Sequence, residues 1–233
     1  MDFDEIKEKV SDAVVKAIRE VQADASDARD VAGGIDLDTL RLKQSAKAAA
    51  LAAPNVLGGP AVIAAILVEV PALMRVLSTT ALGTGIIIRN EAHKEDFMTI
   101  LGVWSGDVSM GTVQSAIGAQ FAAAGSAAAP AALHASGAIM AAVAGAKMHL
   151  ATHALTSTVT LAASKQAIGA LSVKAIAGPM IAKWVASIPP RAVPLLGAAV
   201  GATVNTWMLN SLMDAAQRYY RGVDEAVTKY APT

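Results

Sequence analysis

The sequence has no cysteine among its 233 residues and few aromatic side chains, which make up only 4% of it. The absence of cysteine excludes disulfide bonds, thiolate catalysis and cysteine-ligated zinc. Basic and acidic residues number 19 each, so no net charge attracts the chain to nucleic acid. We therefore expect no nucleic-acid partner.

Charge is also missing from two long stretches of the chain. Residues 108–146 contain no charged side chain, and residues 48–88 contain only Glu69 and Arg75. Soluble domains usually distribute charge along every amphipathic element. The two stretches therefore predict surfaces that prefer hydrocarbon or another protein to water.

Alanine is the residue present in excess. It occupies 52 positions, and hydrophobic residues together make up 54% of the chain. Alanine favours helices and lets their backbones approach closely. We predict an all-α fold, a compact bundle of small-residue-rich helices and helical hairpins, forming one domain over residues 1–233.

The N-terminal region predicts an amphipathic helix over residues 2–24 and a polar linker that ends at Gly34. Residues 1–31 are thus interpreted as helix and linker, and residues from about 36 to 230 as the core. The mixed charges of the helix differ from the Lys/Arg-rich face of membrane anchors, which favours packing on the body. The acidic start lacks the features of a secretory signal, which predicts a cytoplasmic location.

The stretch from Ala61 to Ile88 is apolar enough to suggest a membrane span. A transmembrane helix needs about 20 apolar residues, and a central Glu or Arg opposes insertion by about 2.5–3.5 kcal/mol. Glu69, Pro71 and Arg75 all lie inside this stretch. We therefore favour peripheral association with a membrane, and an integral span is the alternative.

Five basic residues follow the second uncharged stretch, and no acidic residue occurs among them or before Asp214. Beside apolar surface, such residues could meet anionic lipid headgroups, for about 1 kcal/mol each. A plain solvated surface is the alternative interpretation. The candidate headgroup contacts are Lys147, Lys165, Lys174, Lys183 and Arg191.

Motifs for catalysis and for nucleotide or metal binding are missing. The sequence contains none of the patterns GxxxxGK[ST], GxGxxG, GxSxG or HExxH. His149 and His153 lie four residues apart, but no carboxylate is near them and His134 is the nearest other histidine. The charged patch Glu91–Asp96 is interpreted as a solvated turn, with acid–base catalysis by a soluble hydrolase as the alternative. We therefore expect no metal, no cofactor and no enzymatic activity.

Near the C-terminus, glycine and asparagine recur at four-residue steps. Four residues advance a helix by about 400°, so the three side chains share one stripe. The glycines admit a second helix to backbone contact, and the asparagine can hydrogen-bond across that contact for about 1 kcal/mol. A ligand-binding amide is the alternative role for the asparagine. The predicted helix-packing motif is Pro194, Gly197, Gly201 and Asn205.

Two segments of the chain form a recognisable combination. One is the run from Pro194 through Gly197-Ala-Ala-Val-Gly201 to Asn205, and the other is Gly58-Gly-Pro60 followed by Glu69-Val-Pro-Ala-Leu73. This combination resembles the bacterial EcsC-like family, although the Tyr-Gly segment usual in the family has no counterpart near Ile86–Asn90. The resemblance implies a helical bacterial protein at the cytoplasmic membrane, because the namesake is associated with an ABC-type exporter there. No catalytic residues are established for the family, so the resemblance implies none.

These observations together predict a non-enzymatic protein that associates peripherally with the cytosolic face of a bacterial membrane. Its partner would be membrane lipid or another hydrophobic molecule. The alternatives are an integral accessory subunit of a transport system and a soluble self-assembling protein that forms homo-oligomers.

Overall fold

The computed structural model describes residues 3–21, 25–57, 61–115, 117–118, 161–191, 193 and 196–230. Within these ranges the chain is helical and contains no strand. The predicted all-α fold is therefore confirmed. In chain order the helices are α1 (Phe3–Glu20), α2 (Ala25–Ala32), α3 (Leu37–Ala50), a short 3₁₀ helix (Ala53–Leu57), α4 (Ala61–Arg89), α5 (Asp96–Ser105), α6 (Leu161–Arg191) and α7 (Leu196–Tyr230).

Helix α2 occupies the segment that the sequence predicts to be a linker, so that prediction is wrong. Ala28 and Ala32 lie one turn apart on its inner face and are buried. Both approach Gly83 of α4. A short polar helix is stable here because the methyl group of Ala32 and the backbone of Ala28 fit against a residue without a side chain.

Helix α1 packs against α4 and α6. Val10, Val14 and Ala17, which the amphipathic pattern places on one face, are buried. The charged residues of α1 lie on its other side, where Lys9 pairs with Glu5 at 2.8 Å. Helix α1 is therefore part of the bundle in this structure.

Helix α4 is the central helix of the bundle and changes character along its length. Every residue from Val76 to Gly85 is buried, and Tyr220 of α7 packs directly on Gly85. The first half of α4 has an exposed face, which includes Ala64 and Val68. This exposed face lies beside the candidate site described below.

By length and composition α4 could cross a membrane, and it is the one such helix in the part of the chain that the structure describes. Half of the most apolar part of α4 is buried inside the bundle. A core helix of a soluble protein has the same character, so the helix alone is weak support for a span. Most of the second uncharged stretch, residues 108–146, lies outside the described residues.

Candidate functional site

A buried polar cluster joins three distant parts of the chain. It consists of Asn55 in the 3₁₀ helix, Glu69 in α4 and Arg191 at the end of α6. Glu69 accepts hydrogen bonds from Nη1 of Arg191 at 3.0 and 3.2 Å, and from Nδ2 of Asn55 at 2.7 Å. None of the three side chains is more than 3% exposed. Because a buried charge needs a partner, this cluster fixes the end of α6 to α4.

The structure places Arg191 in the interior, so the prediction that it contacts lipid headgroups is wrong. Its guanidinium is fully buried. Burial lowers the pKa of Arg191, and the charge and hydrogen bonds of Glu69 oppose that decrease. The sequence does not indicate that Arg191 pairs with Glu69, because the two residues are 122 positions apart. Arg191 is thus a structural cation whose charge is balanced inside the bundle.

Lys183 is the one candidate headgroup contact whose side chain lies at the surface in the described part of the chain. Its Nζ atom lies 4.5 Å from the ring centre of Trp207, which is itself 41% exposed. Trp207 also packs near Trp104, with ring centres 6.1 Å apart. The remaining candidate residues lie outside the described part of the chain, or their side chains do. They are Lys147, Lys165, Lys174, Pro194, His134, His149 and His153.

The three described residues of the packing motif lie where α7 meets the 3₁₀ helix and the end of α3. A Cβ atom at Gly197 would overlap the carbonyl oxygens of Asn55 and Arg191. A Cβ atom at Gly201 would lie 2.7 Å from Cβ of Ala52. Nδ2 of Asn205 donates to the carbonyl oxygen of Ala48 at 3.0 Å. The glycines therefore bring the α7 backbone against the buried cluster, and the amide of Asn205 is engaged with α3.

A second polar group connects α5 to α7. Asp96 is 4% exposed, and its carboxylate accepts from Tyr219 Oη at 2.8 Å, Tyr220 Oη at 3.3 Å and His93 N at 2.8 Å. The interpretation of Glu91–Asp96 as a solvated turn is therefore wrong at Asp96, although Lys94 is exposed. Burial, and next the Asp96 charge, raise the pKa of both tyrosines well above their ordinary value. Tertiary contacts with α7 draw this carboxylate inward.

We expect the protein to lose stability in alkaline solution because of these tyrosines. An unfolded tyrosine ionises near pH 10, whereas the pKa of folded Tyr219 and Tyr220 is raised. The contribution of the two tyrosines to the free energy of unfolding is thus complete below about pH 10. It is lost as the pH rises towards the folded pKa, by about 1.4 kcal/mol per pH unit for each tyrosine.

Urea unfolding at pH 8 and pH 11 measures this loss. Tyr220→Phe should reduce it, and Tyr230→Phe, at an exposed tyrosine, should not. Equal losses in both variants would contradict this account.

The segments that meet at the buried cluster expose apolar side chains. Val68 is 75% exposed, Leu196 57% and Val193 46%. Residues 48–68 and 192–213 contain no charged residue. Two charged residues lie next to these segments at the cluster, Glu69 after the first segment and Arg191 before the second. They pair with each other inside the bundle. We use the name apolar surface for seven exposed residues of the 3₁₀ helix, of α4 and of the chain from the end of α6 to the start of α7: Pro54, Ala64, Val68, Pro189, Pro190, Val193 and Leu196.

No protein-family model matches the chain, and neither a curated protein nor a solved structure is significantly similar to it. The resemblance to the EcsC-like family therefore stays a prediction. Two of the segments that carry this resemblance, at Glu69 and at Gly197–Asn205, meet at the buried cluster.

Proposed function

We propose that the protein associates peripherally with the cytosolic face of a membrane through the apolar surface. One observation carries the proposal: Val68, Val193 and Leu196 are exposed, while the charges nearest to them in sequence neutralise each other in the interior. Each exposed apolar side chain would gain about 25 cal/mol per Å² on leaving water. An unpaired charge in the same place would oppose insertion by several kcal/mol.

The position of Trp207 and Lys183 supports insertion into a single leaflet. Eleven residues separate Leu196 from Trp207, which corresponds to about 16 Å along α7. One leaflet contributes about 15 Å of hydrocarbon. When the apolar surface is immersed in one leaflet, Trp207 and Lys183 lie near the headgroups, where tryptophan and lysine are both favourable. Lys183 would then favour anionic lipid.

The resemblance to the EcsC-like family supports a bacterial cytoplasmic membrane as the site of action. The integral alternative rests on α4, and the wholly buried run from Val76 to Gly85 argues against exposing that helix to lipid. The self-assembly alternative uses the same apolar surface, with a second copy of the chain in place of lipid.

Vesicle flotation should show that wild-type protein binds phosphatidylcholine vesicles, and binds more when they contain phosphatidylglycerol. Leu196→Asp should weaken binding at least about tenfold, because a carboxylate would enter the hydrocarbon boundary. Leu42→Asp is the matched control, since Leu42 is 73% exposed on α3 but lies outside the apolar surface. Lys183→Glu should remove the preference for anionic vesicles without abolishing binding.

The same preparations separate the alternatives. Wild-type protein that ignores vesicles of both compositions contradicts the proposal. A dimer in solution that Leu196→Asp dissociates would favour self-assembly. Protein from the native membrane that leaves the pellet only in detergent would favour integral insertion, whereas release by carbonate fits peripheral association.

A further inference from the structure

A cavity with balanced charges lies between α2, α3 and α4. Its volume is about 430 Å³, which lies within the range of small-molecule sites. Four charged side chains line it: Asp27 and Asp30 from α2, Lys47 from α3 and Arg75 from α4. Its other walls are mostly apolar and contain no aromatic side chain. Because two carboxylates stand against two cations, the cavity favours a ligand without net charge.

Asp30 and Lys47 carry the two charges that are available to a ligand. Arg75 pairs with Asp27 at 3.2 Å, so these two charges compensate each other. Within the part of the chain that the structure describes, neither Asp30 nor Lys47 makes an ion pair. One free carboxylate and one free ammonium therefore face the same cavity from two helices. This arrangement is complementary to a zwitterion, whose own cation and anion can contact the two residues together.

The cavity lies at the same level along the bundle as Trp207. Two hydrogen bonds connect α3 to α7 on either side of Lys47: Ser45 donates to Asn210 at 3.3 Å, and Asn205 donates to the carbonyl oxygen of Ala48 at 3.0 Å. Lys47 lies between the two bonded residues of α3, and Trp207 lies between the two bonded residues of α7. The proposed function places Trp207 at the lipid headgroups, so Lys47 and the cavity beside it would meet the headgroups too.

We propose that this cavity binds the headgroup of a phosphatidylethanolamine, with the ammonium at Asp30 and the phosphate at Lys47. The inference rests on the proposed function and names the lipid that the docked protein recognises. The phosphodiester carries one negative charge and the ethanolamine one positive charge, which matches the two free groups of the cavity. A primary ammonium donates charge-assisted hydrogen bonds to a carboxylate. The quaternary ammonium of phosphatidylcholine cannot donate, and the aromatic side chains that bind such groups are missing from this cavity.

Flotation with vesicles that carry no net charge tests the proposal. One set contains phosphatidylcholine alone, and the other contains an equal amount of phosphatidylethanolamine. Wild-type protein should bind the second set roughly two- to fivefold more tightly, as expected for exposed ion pairs. Asp30→Asn should abolish this preference, and Lys47→Ala should reduce it. The matched controls are Asp38→Asn and Lys43→Ala, at exposed residues of α3 that do not line the cavity, and both should keep the preference.

The Asp30→Asn variant separates recognition in the cavity from a general effect of ethanolamine lipids on bilayer packing, because a bilayer effect would act on wild type and variant alike. A preference that persists in Asp30→Asn overturns the proposal. Wild-type protein that binds both sets equally overturns it as well and leaves the proposed function standing.

The soluble compound sn-glycero-3-phosphoethanolamine distinguishes a lipid from a free ligand, since it carries the same two charges without acyl chains. In the absence of vesicles it should raise the melting temperature of wild type but not of Asp30→Asn, because a ligand stabilises the folded state that binds it. Wild-type protein that this compound stabilises, but that floats with neither set of vesicles, overturns the lipid as the source of the headgroup.

Discussion

Arg191→Met should lower the free energy of unfolding by about 3–5 kcal/mol, because it leaves the buried carboxylate of Glu69 without its cation. Urea unfolding followed by circular dichroism measures the change. Arg75→Met is the matched control, since Arg75 pairs with Asp27 at the surface with 72% of its side chain exposed. Loss of that exposed pair should lower stability by about 1 kcal/mol or less.

The double variant Glu69→Leu with Arg191→Met separates pairing from simple packing. Hydrophobic residues that replace a buried ion pair often leave stability unchanged or raise it by about 1–4 kcal/mol. The double variant should therefore recover most of the stability that Arg191→Met loses. If the two single losses instead add together in the double variant, the two side chains do not interact as the structure shows.

The same double variant also bears on the proposed function. Glu69 and Arg191 are both buried, so their replacement leaves the apolar surface unchanged. A folded double variant should therefore still float with vesicles. Loss of flotation at unchanged stability would mean that the charges themselves, and not their mutual neutralisation, are needed at the membrane.

The features that the sequence predicts correctly are local ones. The alanine content indicates the all-α fold, because helix propensity acts over neighbouring residues. The four-residue spacing of Gly197, Gly201 and Asn205 places them on one stripe. A matching signal exists on the opposite side of the contact, since Ala48 and Ala52 are also four residues apart. Small residues at this spacing on both segments are typical of close helix contacts.

The features that the sequence does not reveal depend on contacts between distant segments. Glu69 has no cationic partner on its own helix face, and the residue that pairs with it lies 122 positions away. Asp96 belongs to a charged patch in sequence, yet Tyr219, 123 positions later, holds it inside. Periodicity shows which face of a helix is apolar, but only the assembled bundle shows which polar residues become buried.

Gly197→Ala should lower the free energy of unfolding by about 3 kcal/mol, at the upper end of the usual effect of overpacking. Glycine to alanine inside a helix normally raises stability by about 0.5–1 kcal/mol. At Gly197, however, the added methyl group would overlap the carbonyl oxygens of Asn55 and Arg191. Both obstacles are backbone atoms, which cannot turn away as the end of a flexible side chain can.

Gly178→Ala is the matched control, because Gly178 lies inside α6 and nothing stands within 4 Å of the position of its added Cβ. That variant should gain the normal 0.5–1 kcal/mol, so the two substitutions should differ in sign. Gly201→Leu should lose about 1–3 kcal/mol against Ala52. Thermal and urea unfolding of the three variants measure these changes, and a stabilised Gly197→Ala protein would mean that α7 does not approach the 3₁₀ helix.

Gly197 and Arg191 form part of one contact. The losses from Gly197→Ala and Arg191→Met should therefore be less than additive, since either substitution already opens the space between α7 and the buried cluster.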